Sequence, residues 1–265
     1  MLGAIAGDMI GRPYEFALAK IYDFPLFGPE SKFTDDTVLT IALADSLLSG
    51  RPYVDLAREY FHLYPDCAYG MNFGFWAMSG SREPYGSYGN GSAMRVSPAA
   101  WRHDTLEEVL AEAERSALIT HDHPEGIRGA QATAAALFLA RTGASKDAIR
   151  AVITQRFGYE VSTPIERLQP IYEYSVTCQG TVPAALIAFL DSSDFESAVR
   201  NAVSLGGDAD TLACITGSVA EAYYGGVPRN IEERVWALLD ERLRSVTTEF
   251  RARYVEPRLV ARGKS

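Results

Sequence analysis

The sequence predicts an all-α fold: a compact orthogonal multi-helix bundle of about ten helices, in a single domain spanning residues 1–265. Three observations carry this. Apolar residues recur with the helical period along most of the chain. Two of the helices so marked are apolar on nearly every face, a pattern that belongs at the centre of a domain. No segment sustains the alternation of a half-buried strand, and no Pro/Ser-rich linker, charge block or fixed-period repeat divides the chain.

The elements follow in order. A glycine-rich helix near the start breaks at Gly11 and Pro13 and then presents Glu15. The first all-round apolar helix runs from about Thr37 to Ser49, with Val38, Leu39, Ile41, Leu43, Leu47 and Leu48. Leu106, Val109, Leu110, Ala113 and Ala117 fall on one helical face behind a Thr105/Glu108 capping box. The segment from Ala130 to Ala140 is small-residue-rich and apolar. Ser145 caps a helix carrying Ile149, Val152 and Ile153, and Gly158 ends it. Pro183 reads as the first helical residue of the Ala184–Leu190 run. Asp194 caps a helix with Ala198, Val199, Ala202 and Val203. The second all-round apolar helix runs from about Thr211 to Tyr224, and its small residues Ala213, Gly217, Ser218 and Ala220 let neighbours approach closely. Asn230 with Glu233 caps one further helix carrying Val235, Leu239, Leu243 and Val246, and residues from Glu256 to Ser265 are expected to fray.

Composition bounds the function. The chain carries 25 Lys and Arg against 34 Asp and Glu, a net charge of −9, which excludes nucleic-acid binding by bulk charge. A chain of this length buries roughly three-quarters of its unfolded surface and needs no staples. Cys67, Cys178 and Cys214 are three widely spaced cysteines, neither a disulfide framework nor a zinc ribbon, and read as reduced, mostly buried thiols. The start lacks a basic segment and reaches Asp8 within eight residues, so no signal peptide is expected. The longest apolar runs are far below the ~20 residues that span a bilayer. The expectation is a soluble, cytoplasmic protein, with no membrane partner and a monomer by default.

Chemistry concentrates where the two apolar helices begin. One opens with Thr34-Asp35-Asp36-Thr37, the other with Gly206-Gly207-Asp208-Ala209-Asp210-Thr211. One aspartate at a helix start is a cap that also suits the helix dipole. Two such clusters on the two most buried helices imply more. If the helix starts meet, four carboxylates carrying −4 repel one another unless some protonate or cations intervene. Two divalent ions carrying +4 would balance them, and the hard oxygen ligands suit Mg²⁺ or Mn²⁺ rather than Zn²⁺.

Three further stretches bear on the site. Ser87-Tyr88-Gly89-Asn90-Gly91-Ser92-Ala93-Met94-Arg95 places two glycines around Asn90 ahead of a short helix, which reads either as a phosphate cradle or as a plain loop. Thr120-His121-Asp122-His123-Pro124-Glu125 offers two histidines, and a helix start with Asp122 as its cap accounts for most of it. Gly7-Asp8-Met9-Ile10-Gly11-Arg12-Pro13-Tyr14-Glu15 ends on a loop acid. A rival reading makes the chain an all-α metal-dependent phosphohydrolase using His121 and Asp122 with His62 and His123. It leaves both Thr-Asp clusters unexplained. A non-catalytic binding or structural protein is the other alternative.

In this order, residues 7–15, 33–37, 87–95, 120–121 and 206–211 resemble the ADP-ribosylglycohydrolase family, which includes the dinitrogenase reductase-activating glycohydrolases. The match runs from about Leu2 to Pro228, and the two acid clusters lie roughly 170 residues apart. The resemblance implies a hydrolase that releases ADP-ribose from a modified protein side chain or a small conjugate by cleaving an N- or O-glycosidic bond. It implies that Thr34, Asp35, Asp36, Asp208, Asp210 and Thr211 hold two Mg²⁺ or Mn²⁺ ions. Glu15 and Asp208 become the catalytic acids, with Glu15 on a mobile loop. Ser87, Tyr88, Gly89, Asn90, Gly91, Ser92 and Met94 become the substrate-binding loop, with Tyr88 near the adenine, and His121 contacts ADP-ribose. The leaving group stays open between arginine, serine, another side chain, a nucleic-acid base and O-acetyl-ADP-ribose, and the non-catalytic alternative becomes an ADP-ribose-binding protein. Selectivity is expected between Asp66 and Trp76, where Tyr69, Asn72, Phe73 and Trp76 serve either the cleft or the core.

Overall fold

A computed structural model describes residues 1–16 and 20–262 of the chain. Among these residues there are helices and no strand; one isolated antiparallel bridge, Gly89 to Thr177, is the only extended pairing among them. Five largely buried helices make the centre: Leu2–Gly11, Asp35–Ser49, Pro124–Arg141, Cys178–Leu190 and Ala209–Tyr224. Amphipathic helices such as Leu106–Ala117, Phe195–Ser204 and Glu241–Phe250 cover them, each burying one face. The helices among the described residues are more numerous than the about ten expected. None is long and apolar enough to cross a membrane among the described residues.

The tightest packing joins the two ends of the sequence. Helix Leu2–Gly11 lies along Ala209–Tyr224 through Gly3, Gly7 and Gly11, spaced four apart. A β-carbon on Gly3 would overlap the carbonyl oxygen of Gly217, one on Gly7 that of Ala213, and one on Gly11 that of Ala209. Gly217 is constrained in return by the carbonyl of Gly3. The backbones thus touch directly, as small-residue seams allow. Every residue of Leu2–Gly11 is buried, although its polar Asp8 sits mid-helix.

Most local signals act as read. Thr105 accepts the Glu108 N–H while Glu108 reaches back to Thr105, completing the capping box. Ser145 caps Lys146–Phe157, which Gly158 ends in the left-handed conformation (φ 71°). Asp194 caps Phe195–Ser204, and Thr34 caps Asp35–Ser49.

Four expectations are corrected. Pro183 lies inside Cys178–Leu190, whose cap is Thr177, accepting the Gly180 N–H at 3.2 Å. Asp122 caps nothing: it accepts the Gly86 N–H at 2.7 Å, and His123 caps Pro124–Arg141 through Nδ1. The single helix expected after Asn230 is two, Arg229–Leu238 and Glu241–Phe250. Pro228 precedes the first, and Asp240 caps the second by accepting the Leu243 N–H at 2.9 Å. Residues Glu256–Arg262 are helical rather than frayed; Arg258 ties them down through Asp104 at 2.6 Å and the Tyr254 carbonyl at 3.0 Å. The final residues 263–265 of that expectation lie outside the described ones.

The glycine seam makes a direct prediction. Gly7→Ala must push backbone against backbone and should cost roughly 3 kcal/mol or more in urea unfolding. Gly28→Ala, where a β-carbon would meet open space, should stay within about 0.5 kcal/mol of the parent.

Candidate active site

The seam sets Asp8 against the start of helix Asp35–Ser49. The Asp8 carboxylate accepts the Thr34 N–H at 2.9 Å, the Thr34 hydroxyl at 2.8 Å, and both the N–H and the hydroxyl of Thr37. Burial pushes the Asp8 carboxyl up from the ordinary aspartate range, and the Thr34 and Thr37 hydrogen bonds draw it back. Asp8 therefore orients the first acid cluster. Sequence reasoning passed over it, although an acid in the middle of an otherwise apolar helix is itself a signal.

The two Thr-Asp clusters meet. The Thr211 hydroxyl lies 3.4 Å from Asp36 Oδ2, which the Thr34 hydroxyl approaches at 3.3 Å. Asp36 Oδ1 is buried without a partner. Asp208, at the start of Ala209–Tyr224, accepts the Asn90 side-chain N–H at 2.6 Å, and Asn90 also donates to the Thr181 hydroxyl at 3.0 Å. Oxygens of Glu15, Asp208 and Asp210 all lie within 4.8 Å of one another, a group able to hold a metal ion. Arg12 pairs with Glu15 and stands 3.8 Å from Asp210.

Electrostatics record the crowding. Burial, then the charges of Asp8 and Asp208, hold the Asp35 carboxyl well above the usual range; the Arg12 guanidinium opposes this. Burial and the neighbouring Asp8, Asp35 and Asp208 do the same to Asp36, and burial with Asp36 and Asp208 to Asp210. Such a site, lined by hard oxygens and holding an unpartnered carboxylate oxygen, has donor chemistry that fits a hard metal cation.

These acids floor a cavity of about 850 Å³. Its walls include Tyr85, the stretch from Ser87 to Gly91, Met94, Arg95 and His121. The glycine loop is held as an extended arm: Asn90 N–H donates to the Val176 carbonyl at 2.8 Å and Cys178 N–H to the Tyr88 carbonyl at 2.9 Å. Tyr88 is half exposed and its ring lies 5.2 Å from that of His123. His121 is buried, with Thr120 Oγ1 2.7 Å from Nδ1; burial, then the Arg95 charge, hold its pKa well below the ordinary value.

Some expected residues stand behind the cavity rather than in its wall. Ser92 is fully buried and donates its hydroxyl to the Gly126 carbonyl at 2.7 Å. Thr34 is buried with its hydroxyl on Asp8. The selectivity stretch divides: Asn72 and Phe73 reach the cavity, while Tyr69, Phe73 and Trp76 form a packed aromatic run, and Trp76 is buried. The opposite wall has no warning in the sequence. Phe16, at φ 64°, donates its N–H to the Gly207 carbonyl at 3.0 Å and stacks on Tyr174 with ring centres 5.7 Å apart. The histidine set of the rival reading does not form: His62 is exposed on Tyr53–Leu63, and the metal-capable group among the described residues contains no histidine. Cys178 and Cys214 are buried free thiols, and Cys67 is partly buried.

An all-α bundle whose central helices bring two Thr-Asp clusters to one cleft defines a class of glycosidic hydrolases. The chain belongs to the ADP-ribosylglycohydrolase family, whose model matches residues 1–260, and it is an enzyme of that hydrolase kind. It is 28% identical to the ADP-ribosylhydrolase ARH3 of Mus musculus, over 85% of this chain and 82% of that protein. Identity is 30% to ARH3 of Homo sapiens (73% and 71% covered) and 27% to the ADP-ribosylarginine hydrolase Tri1 of Pseudomonas putida (strain GB-1), covering 89% and 72%. A solved structure described as an ADP-ribosylglycohydrolase-related protein complex superimposes with a TM-score of 0.70 at 29% identity, over 94% of each chain.

The raised carboxyl groups fix the sign of a pH effect. An aspartate whose native pKa exceeds its unfolded value of 3.8 binds its proton more tightly when folded, so ionising it costs stability. The cost is absent below that value and complete once pH passes the raised native one. In EDTA, Asp36→Asn should therefore raise the melting temperature at pH 8 by roughly 2–4 °C or more, and by less at pH 5. Differential scanning calorimetry at the two pH values reads this, and a loss at pH 8 would contradict it.

Proposed function

We propose that this enzyme removes ADP-ribose from a modified side chain or small conjugate by hydrolysing the bond at the anomeric carbon of the distal ribose, with two Mg²⁺ or Mn²⁺ ions in the acid cleft. One observation carries the reading. Two Thr-Asp clusters far apart in sequence face each other across the Thr211–Asp36 contact, in the cavity that also exposes the Gly89–Gly91 loop and His121.

In this reading Asp35, Asp36, Asp208, Asp210 and Thr211 hold the ions, with Thr34 acting through its bonds to Asp8 and Asp36. Bound there, the ions supply Lewis acidity that orients ribose hydroxyls and a water at the reacting carbon. Cleavage builds positive charge on the sugar ring, which the surrounding carboxylates stabilise. Glu15 and Asp208 are the groups placed to take and return the proton. Asn90 holds Asp208 by its 2.6 Å bond, so the carboxylate keeps one orientation. The loop from Ser87 to Gly91, with Met94 and His121, lines the way to the pyrophosphate, and the half-exposed Tyr88 offers the base a flat face. Ser92 supports that loop from behind through Gly126. The partner is thus an ADP-ribosylated protein or small conjugate. Named relatives act on ADP-ribose linkages, one of them on ADP-ribosylarginine, which supports the substrate class and leaves the linkage to a panel of defined substrates.

Removal of metal by EDTA should abolish release of ADP-ribose from a modified peptide, and added Mg²⁺ or Mn²⁺ should restore it. Asp210→Asn should lower turnover by at least about a hundredfold with the helical circular dichroism retained. Chelator-insensitive turnover, or full activity in that variant, rejects the reading. Tyr88→Ala should weaken ADP-ribose binding by roughly tenfold in calorimetry, the scale of a lost stacking contact.

A further inference from the structure

Hydrogen bonding around His121 closes in only one way. Thr120 Oγ1 is fully buried and touches two polar neighbours: Arg95 Nη2 at 2.9 Å and His121 Nδ1 at 2.7 Å. An arginine only donates, so the hydroxyl oxygen accepts from Arg95. The hydroxyl hydrogen then has one neighbour able to accept it, His121 Nδ1. Were Nδ1 protonated, that hydrogen would be buried without an acceptor, a state costly enough to be rare. Arg95 cannot rotate away. It is fully buried, donates also to the Ser116 carbonyl at 3.0 Å, and its guanidinium lies over the Tyr53 ring at 5.6 Å. The His121 backbone is pinned as well, its N–H donating to the Ala117 carbonyl at 2.8 Å.

The other ring nitrogen faces the cleft. Nε2 lies 3.3 Å from where a β-carbon would stand on Gly91 and 3.6 Å from that position on Gly89. The imidazole edge thus fills the space a side chain would take at either glycine, and His121 belongs to the cavity wall.

We propose that Arg95 and Thr120 are positioning residues that lock His121 in the neutral tautomer protonated on Nε2, so that it presents one fixed N–H donor to an anionic oxygen of the ligand lying along Gly89–Gly91. The chain of direction is Arg95 to Thr120 to His121 to ligand, each group donating forward. Neutrality spares the cleft a second buried cation beside Arg95, and the fixed donor needs no reorganisation when the anion arrives. The identity of the anion as the pyrophosphate of ADP-ribose rests on the proposed function; the tautomer does not.

The test separates the two. Nitrogen-15 NMR of the histidine-labelled, ligand-free protein at neutral pH should show His121 with a protonated Nε2 and an unprotonated Nδ1. Thr120→Ser should keep that pattern, and Thr120→Val should lose it. ADP-ribose binding, followed by calorimetry, should weaken about tenfold in Thr120→Val and remain near the parent value in Thr120→Ser. An imidazolium or an Nδ1-protonated ring in the parent, or a pattern unchanged by Thr120→Val, overturns the proposal. Unchanged ADP-ribose affinity in Thr120→Val with the tautomer lost overturns the donor's part in recognition. Failure of the parent to bind ADP-ribose at all overturns the functional reading, and with it the recognition half, while the spectra still decide the tautomer.

Discussion

Direct backbone contact between Leu2–Gly11 and Ala209–Tyr224 is the constraint on which the cleft depends. Gly3, Gly7 and Gly11 meet Gly217, Ala213 and Ala209 with no side chain between them. That spacing carries Gly11 to the level of Ala209, so the turn that follows, Arg12–Tyr14, begins beside Asp208 and Asp210. Glu15 reaches the other acids because the seam ends there. The same seam lays Asp8 within reach of Thr34 and Thr37, and so fixes where Asp35 and Asp36 start. Three acidic segments from distant parts of the chain converge because one helix pair packs closer than side chains permit.

The convergence has an electrostatic cost that the fold bears. Burial and mutual repulsion drive Asp35, Asp36 and Asp210 toward protonation, and few hydrogen bonds relieve them. By contrast Asp8, equally buried, receives four hydrogen bonds from Thr34 and Thr37 and is oriented by them. The distinction sorts the acids by role. Asp8 is satisfied by the protein itself, as a structural carboxylate is; Asp36 Oδ1 is buried without a partner, and Glu15, Asp208 and Asp210 crowd within 4.8 Å of one another, offset by Arg12, the Asn90 side chain and the Thr211 N–H. Residual frustration of that kind marks a site rather than a core.

Much of this was legible in the residues. The helical period and the two all-round apolar stretches predict the bundle, and the capping residues Thr105, Ser145 and Asp194 act as their chemistry requires. The Thr-Asp clusters are visible because acids opening apolar helices are conspicuous. Errors fell where two local signals compete. Pro183 reads as a helix start, yet Thr177 six residues earlier offers a hydroxyl to a free N–H, and the helix starts there. Asp122 has the chemistry of a cap but spends its carboxylate on Gly86, a partner 36 residues away that no local rule reveals. Asn230 and Glu233 mimic a cap ahead of a long apolar pattern, which Asp240 divides.

What the sequence could not express is apposition. Tyr174 and Phe16 are unremarkable as single residues; they become a wall because Phe16 docks on Gly207 and the strand-like arm from Tyr174 to Cys178 runs antiparallel to Tyr88–Asn90. That arm orders the cleft. Cys178 sits opposite Tyr88, Thr177 opposite Gly89 and Val176 opposite Asn90, whose side chain reaches Asp208, and Tyr174, two residues further, lies against Gly207. This part of the cavity wall is built from two segments 158 residues apart, each of them ordinary alone, which is why no motif in the sequence announces it.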